Sequence, residues 1–355
     1  MMPALKTRPH KSGIRVRILV LFFGLFLALL LAEGAARLLW TSVKARADVV
    51  TDFQLGPKPF PGRGFFPQPG AVFEARYDGD PYDTLPEGNV ITYRLNAAGF
   101  RDREFPPTGL AGKGIVVLGD SFVFGAGVEA GSRLTEVIQK NMGETVLNLG
   151  VTGYSTEDEG DVAAAIVPLL KPRVVLVGYV LNDPVHLRDP EYRGRFGSDL
   201  VMRRDGYIQD QREGDSPFYL VRMLREHLAT RKRTQETLDW YHDIYRGDGA
   251  PWSRSRLHLH RIRDIARENG AEMGVFVMPL FFRLDDDYPF ADQHRMVVDY
   301  CRAQGIPVLD LLPVFEGRDP EDLVIHPKDL HPNATAHREI GESIASFLKA
   351  HLAPR

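Results

Sequence analysis

The stretch VVLGDSF, residues 116–122, places a serine directly after a short apolar run. The run has the aliphatic and β-branched character of a buried strand, and Gly119 permits a sharp turn of the backbone at its end. Ser121 is therefore expected at the carboxyl edge of a sheet, where its hydroxyl is accessible to a ligand. The alternative is a serine that only caps the helix that follows.

Short β-branched runs alternate with amphipathic helical stretches from about residue 110 onward. This alternation is typical of a parallel sheet with crossover helices. We predict an α/β fold, a flavodoxin-like, doubly wound parallel sheet of about five strands with helices on both faces. The predicted strands are Ile115–Leu118, Thr145–Asn148, Val174–Gly178, Met273–Val277 and Val308–Leu311. The predicted helices are Arg133–Lys140, Thr156–Leu169, Ser253–Asn269, Phe290–Gln304 and Ala334–His351.

Two further loops follow predicted strands, at the edge where doubly wound sheets bind their ligands. The second strand runs into the loop LGVTGY, where a glycine amide can donate to a developing oxyanion, and Gly150 and Gly153 are both candidates. The third strand is followed by LNDP, where Asn182 offers a side-chain donor and Asp183 is expected to hold the loop in place. Each stretch is also compatible with an ordinary turn.

The stretch HPKDLHPN, residues 326–333, precedes the last predicted helix. A serine nucleophile needs a base within hydrogen-bond reach and an acid that orients the base, and Asp329 and His331 supply both types. With His326 and His337 the same region could suggest a metal site, but the spacing of the histidines matches no tight metal motif. We therefore predict no metal and no other cofactor.

The composition excludes several classes of protein. The 44 Lys and Arg residues are balanced by 47 Asp and Glu, so the formal net charge is −3. Nucleic-acid-binding domains are usually strongly basic, and no nucleic-acid partner is expected. Cys301 is the only cysteine, which excludes an intramolecular disulfide and a multi-cysteine zinc site. It lies in a predicted helix, and we expect a buried core residue rather than a nucleophile.

An apolar segment near the N-terminus predicts export of the rest of the chain. The segment from Ile18 to Trp40 would span about 34 Å as a helix, enough to cross a hydrocarbon core of about 30 Å. Five basic residues and no acidic residue precede it, which places the N-terminus in the cytoplasm. We favour an uncleaved membrane anchor. A secretory signal cleaved near Gly34-Ala35-Ala36 is the alternative.

These features give a predicted domain organisation. It comprises a basic cytoplasmic leader (1–17), a transmembrane signal anchor (18–40), a linker and irregular N-terminal layer (41–109), and an α/β domain (110–355). An insertion at about 184–252 is predicted to form a helical cap over the site. Its aromatic residues either line a pocket or form the core of the insertion; they are Phe218, Tyr219, Trp240, Tyr241 and Tyr245.

Taken together, the four loops resemble the SGNH/GDSL hydrolase family in both residue type and order, over roughly residues 110–350. The resemblance implies an ester hydrolase that needs no cofactor. It implies that Ser121 is the nucleophile, that His331 is the general base and that Asp329 is the acid that orients the base. The implied oxyanion donors are the Ser121 amide, Gly153 and Asn182. Gly153 is preferred to Gly150 because the family's glycine usually follows the strand asparagine by five positions.

The sequence departs from the family pattern at two positions. The acid usually stands three residues before the histidine, where this chain has Lys328, and a glycine usually found two residues before the asparagine is Val180. The D-x-H spacing is similar to that of exopolysaccharide O-acetyltransferases related to the family, and it is also compatible with a histidine oriented by its backbone neighbours.

The functional expectation is an exported, membrane-anchored serine esterase. Its substrate would be an ester, an O-acetyl or short acyl group, of an envelope carbohydrate or lipid. The same site would act as an O-acyltransferase if a carbohydrate hydroxyl replaced water. A catalytically inactive glycan-binding module is the alternative of another class.

Overall fold

The computed structural model describes residues 12–44, 50–51, 55–61, 65–77, 85–186, 216–247, 251–326 and 329–352. The chain divides into two compact units. One unit consists of Met1–Arg46 with Gln211–Gln235, and the other consists of Ala47–Asp210 with Glu236–Arg355. The predicted α/β sheet lies entirely in the second unit.

The described helices and strands follow one another in this order: α1 (Ser12–Lys44), β1 (Val50–Thr51), β2 (Leu55–Pro57), β3 (Phe65–Pro67), β4 (Val72–Arg76), β5 (Val90–Arg94), β6 (Ile115–Gly119), α2 (Ser121–Phe124), α3 (Leu134–Met142), β7 (Val146–Gly150), α4 (Thr156–Leu170), β8 (Val174–Tyr179), α5 (Tyr219–Asp243), α6 (Pro251–Glu268), β9 (Glu272–Val277), α7 (Ala291–Ala303), β10 (Val308–Asp310), α8 (Leu312–Phe315), β11 (Val324–His326), β12 (Asp329–Pro332) and α9 (Ala334–His351). Short 3₁₀ turns lie at Ala130–Ser132 and Pro320–Asp322.

Five of these strands form one parallel sheet in the order β10-β9-β8-β6-β7. Counted along the sheet from β7, this is the 2-1-3-4-5 order of flavodoxin-like folds, so the predicted fold is confirmed. Every residue of β6, β7 and β8 is buried. Strands covered on both faces need continuous apolar sequence, which is why these segments could be predicted from apolar runs without alternation.

The predicted bounds differ from the observed ones by one or two residues. β6 and β7 run on to Gly119 and Gly150, because these glycines still pair with each other in the ladder. α6 begins two residues before its predicted start, at Pro251, since proline is well tolerated at the first position of a helix. α4 starts at its predicted residue, where Ser155 and Asp158 form a capping box.

Residues 41–109, predicted as a linker and irregular layer, contain two small antiparallel sheets. One has the strand order β1-β4-β5, and the other pairs β2 with β3. Strands of two to five residues are too short to give a periodic signal, which is why the sequence analysis did not find them. The first of these sheets contributes to a separate apolar cluster that contains Tyr77, Tyr93, Phe124 and Ile325. Phe124 is the last residue of α2.

Part of the predicted insertion at 184–252 is a long helix, α5. Trp240 and Tyr245 near its end are buried in the core of the α/β unit, and the Tyr245 hydroxyl donates to the Leu181 carbonyl at 3.1 Å. Phe218, by contrast, is 59% exposed. Residues 187–215 lie outside the described part, and the predicted cap over the site stays a prediction. Cys301 is a free, buried thiol, as predicted, and burial raises its pKa to about 12.

The first unit contains α1, in which the segment Arg15–Leu38 has a mean hydropathy of 2.5. Among the described residues this is the one helix long and apolar enough to cross a membrane, and a signal sequence would share that length and composition. Within the same unit the Glu33 carboxylate accepts hydrogen bonds from the Tyr219 and Leu220 amides, at 2.8 and 2.9 Å. Glu33 thereby caps the first turn of α5.

Three glycines lie side by side at the carboxyl edge of the central strands, where Gly119 pairs with Gly150 and with Gly178. A Cβ atom at Gly150 would lie 2.4 Å from the Phe124 amide nitrogen, and one at Gly119 would lie 2.3 Å from a Val123 methyl group. The bare glycine backbones therefore leave the space that α2 occupies on the sheet edge.

We expect Gly150→Ala to lower the free energy of unfolding by about 2 kcal/mol, because the new methyl group meets the backbone of α2, which cannot move aside cheaply. Thermal denaturation should show the loss as a lower midpoint. Gly131→Ala is the matched control, since a Cβ atom at Gly131 meets no atom within 4 Å. Equal midpoints for the two variants would contradict this account of the packing.

Candidate active site

Ser121 is the first residue of α2, directly beyond the carboxyl end of β6. The Asp120 side chain caps this short helix by accepting a hydrogen bond from the Phe122 amide at 2.8 Å. Ser121 itself is 8% exposed. The strand, the glycine edge and the cap together fix where the hydroxyl lies, at the edge of the sheet that the sequence analysis indicated.

The structure brings Ser121 together with the predicted base and acid. His331 Nε2 lies 2.7 Å from Ser121 Oγ. His331 Nδ1 and Asp329 Oδ1 form a short hydrogen bond, and the same oxygen accepts from the His331 amide at 3.2 Å. The three side chains thus form a continuous serine, histidine and aspartate chain of the kind that removes a proton from the hydroxyl.

The two-residue spacing of the acid and the base follows from a strand. Asp329 and His331 belong to β12, which pairs antiparallel with β11. Side chains two residues apart on a strand point to the same face, whereas side chains three apart point to opposite faces. On this hairpin, therefore, an acid two residues before the histidine reaches the imidazole.

The protonation of the acid and the base is set by their contact. Burial alone would raise the pKa of Asp329, but the charge and hydrogen bonds of His331, with the Tyr77 hydroxyl, hold that pKa below its usual value. Burial lowers the pKa of His331, but the charge and hydrogen bond of Asp329 and the charge of Asp120 outweigh it, and the pKa lies above its usual value. The contact therefore favours the ionised form of the Asp329 carboxyl and stabilises the protonated form of the His331 imidazole.

The loop after β7 distinguishes the two candidate glycines. The Gly150 amide already donates to Asn148 Oδ1 at 2.9 Å, and its Cα lies against α2. Gly153 adopts a positive φ of 77°, and within the described part of the chain its amide has no acceptor. Of the two amides, that of Gly153 is the one left in the described structure to donate to a ligand.

The loop after β8 brings the Asn182 side chain close to Asp120, the residue before Ser121, where it acts to lower the pKa of the Asp120 carboxyl. Asp183 holds this loop as expected, because its Oδ2 accepts from the Val180 amide at 2.9 Å and its carbonyl accepts from the Thr156 amide at 2.9 Å. Val180, which replaces the glycine of the family pattern, is fully buried.

The sequence gives no sign that several carboxyls are buried together near Ser121. Burial raises the pKa of Asp120 to about 6 and raises the pKa values of Glu159 and Asp183 well above the usual range. The negative charges of neighbouring carboxyls push the pKa values of Glu159 and Asp183 in the same direction. Burial and neighbouring negative charge thus both favour the neutral form of Glu159 and Asp183. Glu159 lies in the run TEDEGD, which resembles an ordinary acidic first turn of a helix.

The loop that leaves α2 is held by another residue that the sequence analysis missed. Arg101 is buried and donates to the carbonyls of Phe124, Gly125 and Val128, and its guanidinium lies 4.4 Å from the centre of the Tyr93 ring. Burial, with the charge of Arg133, lowers its pKa to about 9, so it remains charged at pH 7. An arginine in a segment without periodicity gives no signal of this role.

The other histidines near the loop have different surroundings. His337 Nδ1 accepts a hydrogen bond from the Leu134 amide at 3.2 Å, and burial lowers the His337 pKa to about 3. His326 is fully buried next to Tyr77. Among the described residues, no three histidine, cysteine, aspartate or glutamate side chains are arranged to hold a metal ion.

Comparisons with known proteins agree on the type of domain. A model of the GDSL-like lipase/acylhydrolase family matches residues 117–339, which is more than half of the chain. A comparison of the sequence with curated proteins found no significant match. Among solved structures, TesA is 14% identical with a TM-score of 0.42, over 67% of this chain and 98% of TesA.

Two further solved structures are similar at the same level. The esterase EstA from Pseudoalteromonas sp. is 13% identical with a TM-score of 0.39, over 67% of this chain and 98% of EstA. A two-domain esterase active on acetylated mannans is 14% identical with a TM-score of 0.38, over 68% of this chain and 50% of that one.

The pKa directions predict how the rate depends on pH. His331 must be neutral to accept a proton, so its raised pKa places the acid limb of kcat/KM above about 6.5, the ordinary histidine value. Asp329→Asn removes the charge that raises this pKa, so the limb should move to lower pH. The same change should lower kcat by about 10³ to 10⁴, because the imidazole loses its orientation.

Asp322→Asn is the matched control, since Asp322 lies in the exposed 3₁₀ turn before β11. It should leave both the rate and the limb unchanged. A limb that does not move in Asp329→Asn would contradict the assignment of Asp329 as the partner of His331.

Proposed function

Because the chain belongs to the GDSL-like lipase/acylhydrolase family, we propose that it hydrolyses esters through an acyl-enzyme formed on Ser121. The family supplies the reaction class, which is ester hydrolysis. The observation that supports the residue assignment is the 2.7 Å contact between Ser121 Oγ and His331 Nε2, with Asp329 on the other side of the imidazole. An inactive glycan-binding module would have no need to keep this contact.

In the first half of the reaction, His331 Nε2 takes the proton of Ser121 as Oγ forms a bond to the ester carbonyl carbon. The resulting imidazolium is stabilised by the carboxylate of Asp329, which stays ionised. The tetrahedral intermediate then expels the alcohol, which takes the proton from His331. The acyl group remains on Ser121.

The negative charge of the intermediate needs donors on one side of Ser121. We assign this role to the amides of Ser121 and Gly153 and to the side chain of Asn182. The Ser121 amide belongs to the first turn of α2, where no helical carbonyl can accept from it. Each donor of this kind lowers the barrier by about 3 kcal/mol, because it is already oriented and shielded from water.

In the second half, water attacks the acyl-enzyme with His331 again as the base, and the carboxylic acid leaves. A sugar hydroxyl in place of water would make the same site an O-acyltransferase. The D-x-H spacing motivates this alternative, since it is similar to that of the O-acetyltransferase relatives. Release of acetate, compared with acetyl transfer to added oligosaccharides, distinguishes the two acceptors.

We further propose that the enzyme is anchored by α1 with its catalytic domain outside the cytoplasm. The length and hydropathy of Arg15–Leu38 and the basic residues before it support this orientation. We propose that its substrates there are esters of an envelope carbohydrate or lipid, and that an O-acetyl or short acyl group is the group removed.

The nucleophile and the oxyanion donor can be tested on purified full-length protein. Ser121→Ala should abolish both labelling by a fluorophosphonate and hydrolysis of short-chain nitrophenyl esters. Asn182→Ala should lower kcat by about 10² to 10³ with little change in KM, because its bond forms in the transition state. Asn141→Ala is the control, as Asn141 is an exposed residue of α3. Turnover that survives in Ser121→Ala would rule out the proposed mechanism.

The location can be tested in a bacterial host that expresses the full chain. We expect the protein to stay in the membrane fraction after alkaline carbonate extraction and its body to be digested by protease added to spheroplasts. A full-length band that resists the protease would contradict the orientation. A shortened band in the soluble fraction would show that the segment is a cleaved signal instead.

A further inference from the structure

Tyr77 from the N-terminal layer contacts the acid of the proposed catalytic chain. It lies just after β4, it is 6% exposed, and its hydroxyl is 3.2 Å from Asp329 Oδ2. Asp329 Oδ1 is occupied by the side chain and the amide of His331. Among the described residues, Tyr77 is the one hydrogen-bond donor to Oδ2.

The direction of the hydrogen bonds around Tyr77 follows from the groups themselves. An ionised carboxylate only accepts, so Tyr77 donates to Asp329. The Gly127 amide only donates, so the Tyr93 hydroxyl accepts from it, at 2.7 Å. The Tyr93 hydroxyl lies close to that of Tyr77. The hydrogen bond that reaches Asp329 is the one from Tyr77.

We propose that Tyr77 is a positioning residue of the active site, which holds the Asp329 carboxylate in the orientation that His331 requires. This inference rests on the function proposed above. Tyr77 and Tyr93 both precede residue 117, where the match to the family begins. The small sheet that carries them, β1-β4-β5, is thereby part of the catalytic apparatus and not only a surface layer.

Geometry explains why the acid needs this partner. Asp329 is the first residue of a four-residue strand, and the ladder between β11 and β12 is irregular. The terminal torsion of an aspartate side chain is soft, so contacts on Oδ1 alone leave the plane of the carboxylate free to rotate. A donor on Oδ2 fixes that plane, and Tyr77 supplies it.

The charged and titratable groups that face this pair are few in the described structure. Asp329 is faced by His331, Tyr77 and Tyr93, and His331 is faced in addition by Asp120 and His337. The Tyr77 hydroxyl and the His331 imidazole both stabilise the negative charge of Asp329. Without the hydroxyl, the carboxylate should stabilise the imidazolium more strongly and raise the pKa of His331.

The test is Tyr77→Phe, which removes the hydroxyl and keeps the ring in the apolar cluster. We expect kcat to fall by about 10-fold with little change in KM, as for other residues that orient a catalytic group. The acid limb of kcat/KM should move to higher pH. If the Tyr77 hydroxyl had only a structural role, Tyr77→Phe would show a lower yield or melting midpoint, and its acid limb would not move.

Tyr300→Phe is the matched control. Its hydroxyl donates to the Arg256 carbonyl at 3.0 Å, so the variant also loses one phenolic hydrogen bond, but on α7 and outside the proposed site. Its kcat and acid limb should equal those of the wild type.

A double-mutant cycle with Asp329→Asn completes the design. The loss caused by Tyr77→Phe should largely disappear in the Asn background, because the carboxylate that the hydroxyl orients is gone. A folded Tyr77→Phe with the kcat and acid limb of Tyr300→Phe would overturn the proposal. If Tyr77→Phe does not fold, 3-fluorotyrosine at position 77 is the second variant: its more acidic phenol is a stronger donor to Asp329 and should move the limb to lower pH, and an unmoved limb would overturn the proposal.

Failure of this inference is distinguishable from failure of the proposed function. A wild-type result for Tyr77→Phe, together with an inactive Ser121→Ala, would remove only the role of Tyr77. Turnover in Ser121→Ala would remove the function on which that role rests.

Discussion

The packing of the short helix α2 on the glycine edge of the sheet is the constraint on which the rest of the site depends. Gly119, Gly150 and Gly178 lie level in three neighbouring strands, and Val123 and Phe124 occupy the space that side chains there would fill. This close approach turns the backbone after β6 and places Ser121 at the edge. The base, the loops with the oxyanion donors and the Arg101 contacts are all arranged around that one position.

Burial desolvates the carboxyls around Ser121, but their pKa values shift in opposite directions. Asp329 is paired with His331 and with a phenol, so its pKa is lowered despite burial. Glu159 has no partner for either carboxyl oxygen among the described residues, and its pKa is raised. A charge that has lost water needs a partner of opposite charge or strong donors, and Asp329 has both in His331 and Tyr77. The surroundings of each carboxyl therefore decide whether its ionised or its neutral form is favoured.

The sequence predicted the sheet and the three residues of the catalytic chain because both leave local signals. Continuous apolar runs mark buried parallel strands, and a serine, an aspartate and a histidine in loops after strands mark chemistry. It did not predict Tyr77, Arg101 or Glu159. Tyr77 and Arg101 lie in segments without periodicity, and Glu159 lies in a helix start where acidic residues are common. The roles of Tyr77 and Arg101 depend on partners from 23 to 252 positions away, such as Phe124 and Asp329.

The sequence by itself thus determined the fold class, since buried parallel strands leave patterns within a few residues, and it predicted the serine, base and acid through the resemblance of four loops to a family. Tertiary structure decided the rest. It decided that the Gly150 amide is already bonded while that of Gly153 has no acceptor among the described residues, that Asp329 reaches His331 across one face of β12, and that a tyrosine of the N-terminal layer donates to that acid. Hydrogen bonds and desolvation depend on distance and orientation in space, and separation along the chain encodes neither.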